Sequence, residues 1–482
     1  MKTNVKTWLA LALLIAPQAR AAMMLESCRL SAPWLPSVAA DCGSLSVPEN
    51  PAAPESRSIA LFVARIASLD IAPQADPLVI IAGGPGQAAT DLYLGLRAAF
   101  EPVRRDRDII LVDQRGTGKT GGLSCPLPAG ADLDLVPNEA LPDLMRACLA
   151  DIEGDPRFFS TSVAVGDLER VREALGIAQW NLYGVSYGTR VAQHYLRRYP
   201  NHTRALILDG VLPSEIAAGP GIAANAQRAL DLILRRCAGQ AACGGRFPDL
   251  AARLQAFRAT LAQDTIPVSF PDPLSGEPVN REFSMEELNG VLRLMSYSEH
   301  TAALLPLLID NAAAGNVAPI AVQAEMIVRE IEAALSLAMH NAVVCTEDVP
   351  FFDGPAETDR QSSSYLSSDV TDALRAACSV WPAGILDDDL KTPLRSATPV
   401  LLLSGEADPI TPPDYALQAS ALLTRSRHLV AAGQGHGLAG IGCVPRLMRE
   451  FLEQLAPEAL NADCLADHGP SPFFIGFNGP AP

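Results

Sequence analysis

The chain has 482 residues, enough for one large core with a sizeable insertion or for two to three smaller domains, so a substantial buried interior is expected. With 54 Asp and Glu against 37 Lys and Arg the formal charge is −17, which argues against nucleic acid and anionic membrane as partners. Beyond the N-terminal segment no uninterrupted apolar run reaches the roughly 18 residues that suggest a bilayer span, so membrane insertion is not expected either.

At the N-terminus Lys2 and Lys6 precede an apolar run from Trp8 to Ala16, and Ala19-Arg20-Ala21 follows as a small-residue cleavage site. That order is the pattern of a secretory leader over residues 1–21 and predicts export to the periplasm or the medium. Ten cysteines follow, at 28, 42, 125, 148, 237, 243, 345, 378, 443 and 464. An even number outside the cytoplasm reads as disulfides, and the simplest pairing joins successive neighbours: Cys28 with Cys42, Cys125 with Cys148, Cys237 with Cys243, Cys345 with Cys378, Cys443 with Cys464. Other connectivities stay open. Neither Cys-x-x-Cys nor the His-x-x-x-His and His-Glu-x-x-His spacings occur, so no metal site is expected.

Residues 33–54, punctuated by Pro and Gly, read as loop. Short apolar runs then recur at Ile59–Ile66, Leu78–Ala82, Ile109–Val112, Asn181–Tyr183, Ala205–Leu208, Val400–Leu403 and His428–Ala431. Helical patterns separate several of them; in Asp167–Leu175 the residues Leu168, Val171 and Leu175 share one face. The alternation predicts a mainly parallel sheet covered by helices on both faces. The run at 109–112 leads into Asp113-Gln114-Arg115-Gly116-Thr117-Gly118-Lys119-Thr120, which imitates a nucleotide-binding loop. Asp113 stands where that motif needs Gly, so Asp113 and Arg115 are assigned a structural role.

Gly184-Val185-Ser186-Tyr187-Gly188 lies between the run at 181–183 and a helical stretch from Thr189 to Tyr199. Strand, Gly-x-Ser-x-Gly, helix is the nucleophile elbow of an α/β-hydrolase, where glycines let strand and helix pass closely around an exposed serine. A serine hydroxyl needs a base and a carboxylate that orients it, in chain order Ser, acid, His for this fold. Asp408, in the loop after Val400–Leu403, and His436, in Gly433-Gln434-Gly435-His436-Gly437, occupy those places. Glu406 and Asp209 are the alternative acids, and His428 the alternative base. Donors for a developing oxyanion are expected from the backbone of Tyr187 and of Gly83 and Gly84 in Gly83-Gly84-Pro85-Gly86.

Between residues 213 and 386 extended runs become scarce and helical ones dominate: Ala224–Arg236, Leu250–Ala262, Met285–Leu294 and Thr301–Ala314. The expected organisation is a core first half over 22–212, a helical cap over 213–386 and a core second half over 387–482, with a loop-rich tail from 469.

Gly83-Gly84-Pro85-Gly86, Asp113-Gln114-Arg115-Gly116, the helix at 167–175, the Ser186 elbow, Asp408 and His436 together resemble the prolyl and tripeptidyl aminopeptidase family of serine hydrolases. The likeness spans nearly the whole mature chain and is closest to the secreted tripeptidyl-aminopeptidase-like branch. It implies an α/β-hydrolase core with a helical cap between the sixth and seventh strands, peptide substrates, and an acyl-enzyme mechanism without metal or organic cofactor. It also implies that acidic cap residues meet the substrate's free amine, for which Glu347 and Asp348 in Cys345-Thr346-Glu347-Asp348 are the candidates. Ala82 stands where many prolyl aminopeptidases carry His, so strict proline specificity is not implied. An esterase with the same triad and a non-catalytic binding protein of the same fold are the competing readings.

Overall fold

The computed structural model describes residues 23–33, 35–123, 125, 138–352 and 364–480; the expected leader at 1–21 lies outside them. Its centre is a nine-stranded sheet in the order β1-β2-β3-β5-β4-β6-β7-β10-β11. The strands are β1 Glu26–Leu30, β2 Val38–Pro48, β3 Ser58–Ile66, β4 Leu78–Ile81, β5 Ile109–Val112, β6 Trp180–Val185, β7 Thr203–Asp209, β10 Val400–Gly405 and β11 Ser426–Ala431. The neighbours β1, β2, β3 and β5 pair antiparallel, and from β5 through β4, β6, β7 and β10 to β11 the pairing is parallel. A hairpin of β8 Ile266–Pro271 and β9 Pro278–Phe283 and a short pair of β12 Phe474–Gly476 and β13 Gly479–Pro480 lie outside this sheet.

The central strands are apolar on both faces because both are covered. On one face Val79, Ile81, Leu182, Leu208 and Leu402 meet Leu168 and Val171 of the helix Thr161–Ala174 and Val191 and Tyr195 of the helix Tyr187–Arg198. On the other, Leu78, Ile80, Tyr183, Ile207 and Leu401 meet Phe100 of the helix Ala89–Arg104 and Leu447 and Phe451 of Val444–Gln454. Truncating any of these leucines to Ala costs about 2–5 kcal/mol.

Two expectations are corrected by the sheet. The stretch 33–54 contains β2, the longest strand, because its Pro and Gly residues sit beside a Leu45-x-Val47 alternation that pairs with β3. The expected helix Thr301–Ala314 is two, Glu299–Ala302 and Leu305–Ala313, since Pro306 has no N–H to donate and starts a new helix instead. The region between β7 and β10 also divides by packing. Its earlier helices and the β8–β9 hairpin gather around Leu230, Phe247, Phe283 and Leu288. The helix Leu337–Glu347 instead puts Met339, Ala342 and Val343 into the cluster on the sheet.

The pairings Val185↔Asp209, Leu403↔Asp209 and Gly405↔Ala431 align the C-terminal ends of β6, β7, β10 and β11. The loops that leave these ends therefore share one edge, where an open parallel sheet collects its functional residues. The five expected cysteine pairs are the ones present, with Cα–Cα separations of 5.0–6.3 Å. Asp113 and Arg115 are interior braces. Asp113 accepts from Thr90 N, Thr90 Oγ1 and Lys119 N, each at 3.0 Å, while Arg115 donates to Asp167 at 2.6 Å and to the carbonyls of Glu49 and Phe158.

Candidate active site

β6 ends at Val185 and the chain turns at Ser186, whose φ of 55° and ψ of −124° are strained for a residue with a side chain. Backbone bonds hold the turn: Ser186 N donates to Asp209 O and Thr189 N to Ser186 O, both at 2.9 Å. The flanking glycines are required by contact rather than by freedom. A Cβ on Gly184 would stand 2.3 Å from the carbonyl oxygen of Gly188, and one on Gly188 would stand 2.3 Å from that of Ile81. Ser186 stays partly exposed at the head of the helix Tyr187–Arg198, where the first backbone N–H groups and the positive end of the helix dipole lie. Gly83 faces it: a Cβ there would be 3.0 Å from Ser186 Cβ and 3.7 Å from its Oγ. Gly84 follows at φ +104°, exposed, so the Gly83-Gly84 turn and the Tyr187 amide flank the same hydroxyl.

Asp408 and His436 meet at 2.8 Å, Oδ2 to Nδ1, with the aspartate fully buried and the imidazole about one-tenth exposed. Three further donors surround Asp408: Ile410 N and Thr411 N on Oδ1 at 2.8 Å and Thr411 Oγ1 on Oδ2 at 2.9 Å. Such a donor set fixes the carboxylate in place. Burial pulls the His436 pKa down, but the charge and hydrogen bond of Asp408, with the charge of Asp209, outweigh it and leave it above the usual 6.5. Gly210, at φ +60°, lies directly under the ring, where a Cβ would be 2.9 Å from His436 Cε1. It follows Asp209, whose carbonyl takes the Ser186 N–H, so Ser186 and the His436 ring both meet the end of β7.

The alternatives fall elsewhere. Glu406 accepts from Gly433 N at 2.8 Å and is exposed, and His428 bonds Ser404 Oγ at 2.9 Å within β11. Asp209 is wholly buried beside the His436 loop, bonded to its backbone. His194, Asp387 and Asp389 also come together among the described residues, but Arg198 bonds both aspartates, at 2.6 and 3.1 Å, and makes the group an ion-pair network.

Glu347 and Asp348 were expected to meet a substrate amine; the structure turns both inward, at 0% and 1% exposure. Glu347 accepts from Thr161 N at 2.7 Å and Thr161 Oγ1 at 2.9 Å, and Thr161 Oγ1 also bonds the hydroxyl of Tyr187 at 2.8 Å. Asp348 takes Arg190 of the elbow helix at 2.7 and 3.1 Å, Ala218 N at 2.8 Å and Lys391 at 3.2 Å. Burial pushes both carboxyls up. It prevails at Glu347, whereas at Asp348 the Arg190 and Lys391 charges outweigh it and the net shift is downward. Burial, then the Arg190 charge, lower Lys391 to about 8 despite Asp348. With their oxygens engaged by internal donors, these carboxylates brace the elbow helix from the interior.

Comparison with known proteins agrees with the fold. Residues 76–243 match the family described as alpha/beta hydrolase fold, and residues 363–464 match the family described as TAP-like protein. The chain has the α/β-hydrolase fold. The chain is 32% identical over 139 residues to a probable proline iminopeptidase of Streptomyces coelicolor, across 29% of this chain and 34% of that one. It is 28% identical over 218 residues to tripeptidyl aminopeptidase of Streptomyces lividans, across 42% and 40% of the two chains. It is 29% identical over 189 residues to serine protease Hip1 of Mycobacterium bovis, across 36% of each. The chain thus spans about a third of the length of the curated relatives it matches.

The segment between β7 and β10 also grips both candidate-site loops, through residues that the sequence did not single out. Arg228, in the helix Ile222–Gly239, donates to the carbonyls of Glu406 at 2.7 Å and Asp408 at 2.8 Å, and Asn225 donates to Ile410 O at 3.0 Å. Tyr297 receives the His436 N–H on its carbonyl at 2.7 Å, and its ring meets the imidazole edge-on at 5.2 Å between centroids. The carbonyl of Tyr297 also excludes a side chain at Gly435, where a Cβ would be 2.2 Å away. That close approach is the one trace left in the sequence, as the glycine preceding His436.

Proposed function

We propose that this chain is an exported serine exopeptidase that hydrolyses peptide bonds near a free N-terminus, with Ser186 as nucleophile, His436 as general base and Asp408 as its orienting acid. The observation that carries the reading is the 2.8 Å bond from His436 Nδ1 to a buried, fully donor-saturated Asp408, beside a serine held at φ 55°. With Nδ1–H given to Asp408, Nε2 is the free nitrogen that takes the Ser186 proton as the hydroxyl attacks a peptide carbonyl. The amides of Tyr187 and of the Gly83-Gly84 turn stabilise the tetrahedral oxyanion, each donor being worth about 2.7–4 kcal/mol. The imidazolium protonates the leaving amine, and water then repeats the attack on the acyl-enzyme. Peptide substrates with a free amino end are favoured by the names of the relatives, proline iminopeptidase and tripeptidyl aminopeptidase. Export is favoured by the five cysteine pairs together with the leader pattern at 1–21. The segment over 213–386 is the cap of this enzyme, between the core halves at 22–212 and 387–482.

Chromophore release from short peptides with free and with acetylated N-termini, run beside simple esters on wild type and Ser186→Ala, tests the reading. Turnover of free-amino peptides that vanishes in Ser186→Ala is expected. Undiminished rate in the variant removes the nucleophile assignment, equal rates on free and blocked peptides remove the exopeptidase claim, and ester-only turnover makes the enzyme an esterase. Because His436 acts neutral and its pKa is raised, kcat/KM falls as pH drops through a value above 6.5. An acid limb centred below 6.5 would contradict the Asp408–His436 pairing.

A further inference from the structure

Asp209 ends β7 at the meeting point of the three site loops. Its main-chain carbonyl accepts from Ser186 N at 2.9 Å, and Gly210 N, next along the chain, donates to Leu403 O at 3.0 Å, just ahead of the acid loop. Its carboxylate lies wholly buried and accepts from the two amides that follow His436 and Gly437. Leu438 N reaches Oδ1 at 2.8 Å and Oδ2 at 2.9 Å, and Ala439 N reaches Oδ2 at 2.9 Å. Tyr183 OH, from the neighbouring strand β6, gives the last bond at 2.8 Å. Every one of these bonds is donated to the carboxylate, which is the arrangement an anion needs and a protonated acid does not fill.

We infer that Asp209 is a positioning residue for the proposed reaction: its carboxylate pins the loop after His436 to the same strand end that pins Ser186, and its charge acts on the imidazole alongside Asp408. The inference rests on the Ser186, His436 and Asp408 assignment. The role is distinct from that of an alternative acid, because the contacts of Asp209 go to the backbone of the His436 loop while the side-chain bond to Nδ1 belongs to Asp408. The titratable groups facing His436 are Asp408 from the loop after β10, Asp209 from β7 and Tyr297 from the cap, whose phenol burial holds neutral. Facing Asp209 are Tyr183, also held neutral by burial, and His436 itself; burial pushes the Asp209 carboxyl up, and the Leu438 and Ala439 amides, the Tyr183 hydroxyl and the His436 charge oppose it, the donors-only geometry being that of the anion. Of these, only Asp408 and Asp209 supply negative charge to the imidazolium.

Asp209→Asn keeps the shape, removes the charge and turns an N–H toward amides that already donate. With a tripeptide p-nitroanilide carrying a free amino terminus, kcat is expected to fall by about 10²-fold, the cost of a displaced base, while KM stays put because Asp209 lies beneath the site. The acid limb of kcat/KM is expected to move to lower pH: with one stabilising anion gone, the imidazolium gives up its proton more readily. A merely structural loss would lower the plateau and leave the limb in place. A wild-type kcat or an unmoved limb in folded Asp209→Asn overturns the inference. Tyr183→Phe covers the case in which that variant does not fold. It withdraws one donor and keeps the charge, so kcat must fall with KM and the limb unmoved; a wild-type kcat overturns the inference here too. Ser186→Ala in the same assay separates the two claims. Retained rate there sinks the nucleophile assignment, whereas an inactive Ser186→Ala beside a wild-type Asp209→Asn sinks only the role of Asp209.

Discussion

Asp408 and Asp348 are both buried aspartates that hold a basic side chain, Asp408 the imidazole of His436 and Asp348 the guanidinium of Arg190 on the helix that follows Ser186. Their partners differ. Asp348 holds Arg190, which keeps its proton at any working pH, and Asp408 holds His436, whose charge changes near neutrality. The surroundings follow the partner. Around Asp348 the other donors are the Lys391 ammonium and a backbone amide, so the cluster is a fixed brace between the elbow helix and the end of Leu337–Glu347. Around Asp408 two amides and a hydroxyl fix the carboxylate while leaving the imidazole edge accessible. A buried carboxylate near the candidate serine is therefore not by itself a sign of chemistry; the titratability and access of its partner decide.

The largest test of that contrast is Asp408→Asn, expected to lower kcat by about 10⁴-fold with the fold intact, measured by chromogenic peptide turnover and thermal melting. An active variant would make the two aspartates equivalent. Arg190→Leu should do the reverse, destabilising the protein by about 3–5 kcal/mol in urea titration because Asp348 is left buried without its main countercharge. Wild-type stability would show that the brace is dispensable. Arg228→Ala probes the cap side of the acid loop, where two carbonyls lose charged donors; kcat is expected to drop about tenfold with a smaller loss of stability. Unchanged turnover would confine the cap to a covering role. The smallest effect is expected from Glu347→Gln, because burial already pushes that carboxyl toward its neutral form. Stability should change by about 1 kcal/mol and KM not at all. A KM increase confined to peptides with a free amine would return Glu347 to substrate recognition.

Much of the core was legible because its signals are local. The elbow needs glycine at 184 and 188 for contacts within a few residues and with the adjacent strand, and the apolar runs mark strands whether or not their neighbours are known. The same locality explains the strand missed at Val38–Pro48: Pro, Gly and Asp in that stretch speak for a loop, and only pairing with β3 makes it extended. Glu347 and Asp348 were misplaced for the opposite reason. Acidic residues beside a cysteine look exposed in sequence, and what buries them are partners from distant segments, Thr161, Arg190, Ala218 and Lys391.

Residue types and chain order determined the fold class, the elbow, and the Ser186, Asp408 and His436 candidates, because a strained turn and loops at strand ends impose their composition locally. Tertiary structure decided which carboxylate reaches the imidazole, which ones merely brace the helix, and which residues between β7 and β10 hold the loops. Those choices rest on hydrogen bonds a few ångströms long between residues far apart in the chain, such as Arg228 with Asp408 and Asp209 with Leu438. No spacing rule in one sequence encodes such contacts, since they exist only once the sheet has aligned the ends of β6, β7, β10 and β11.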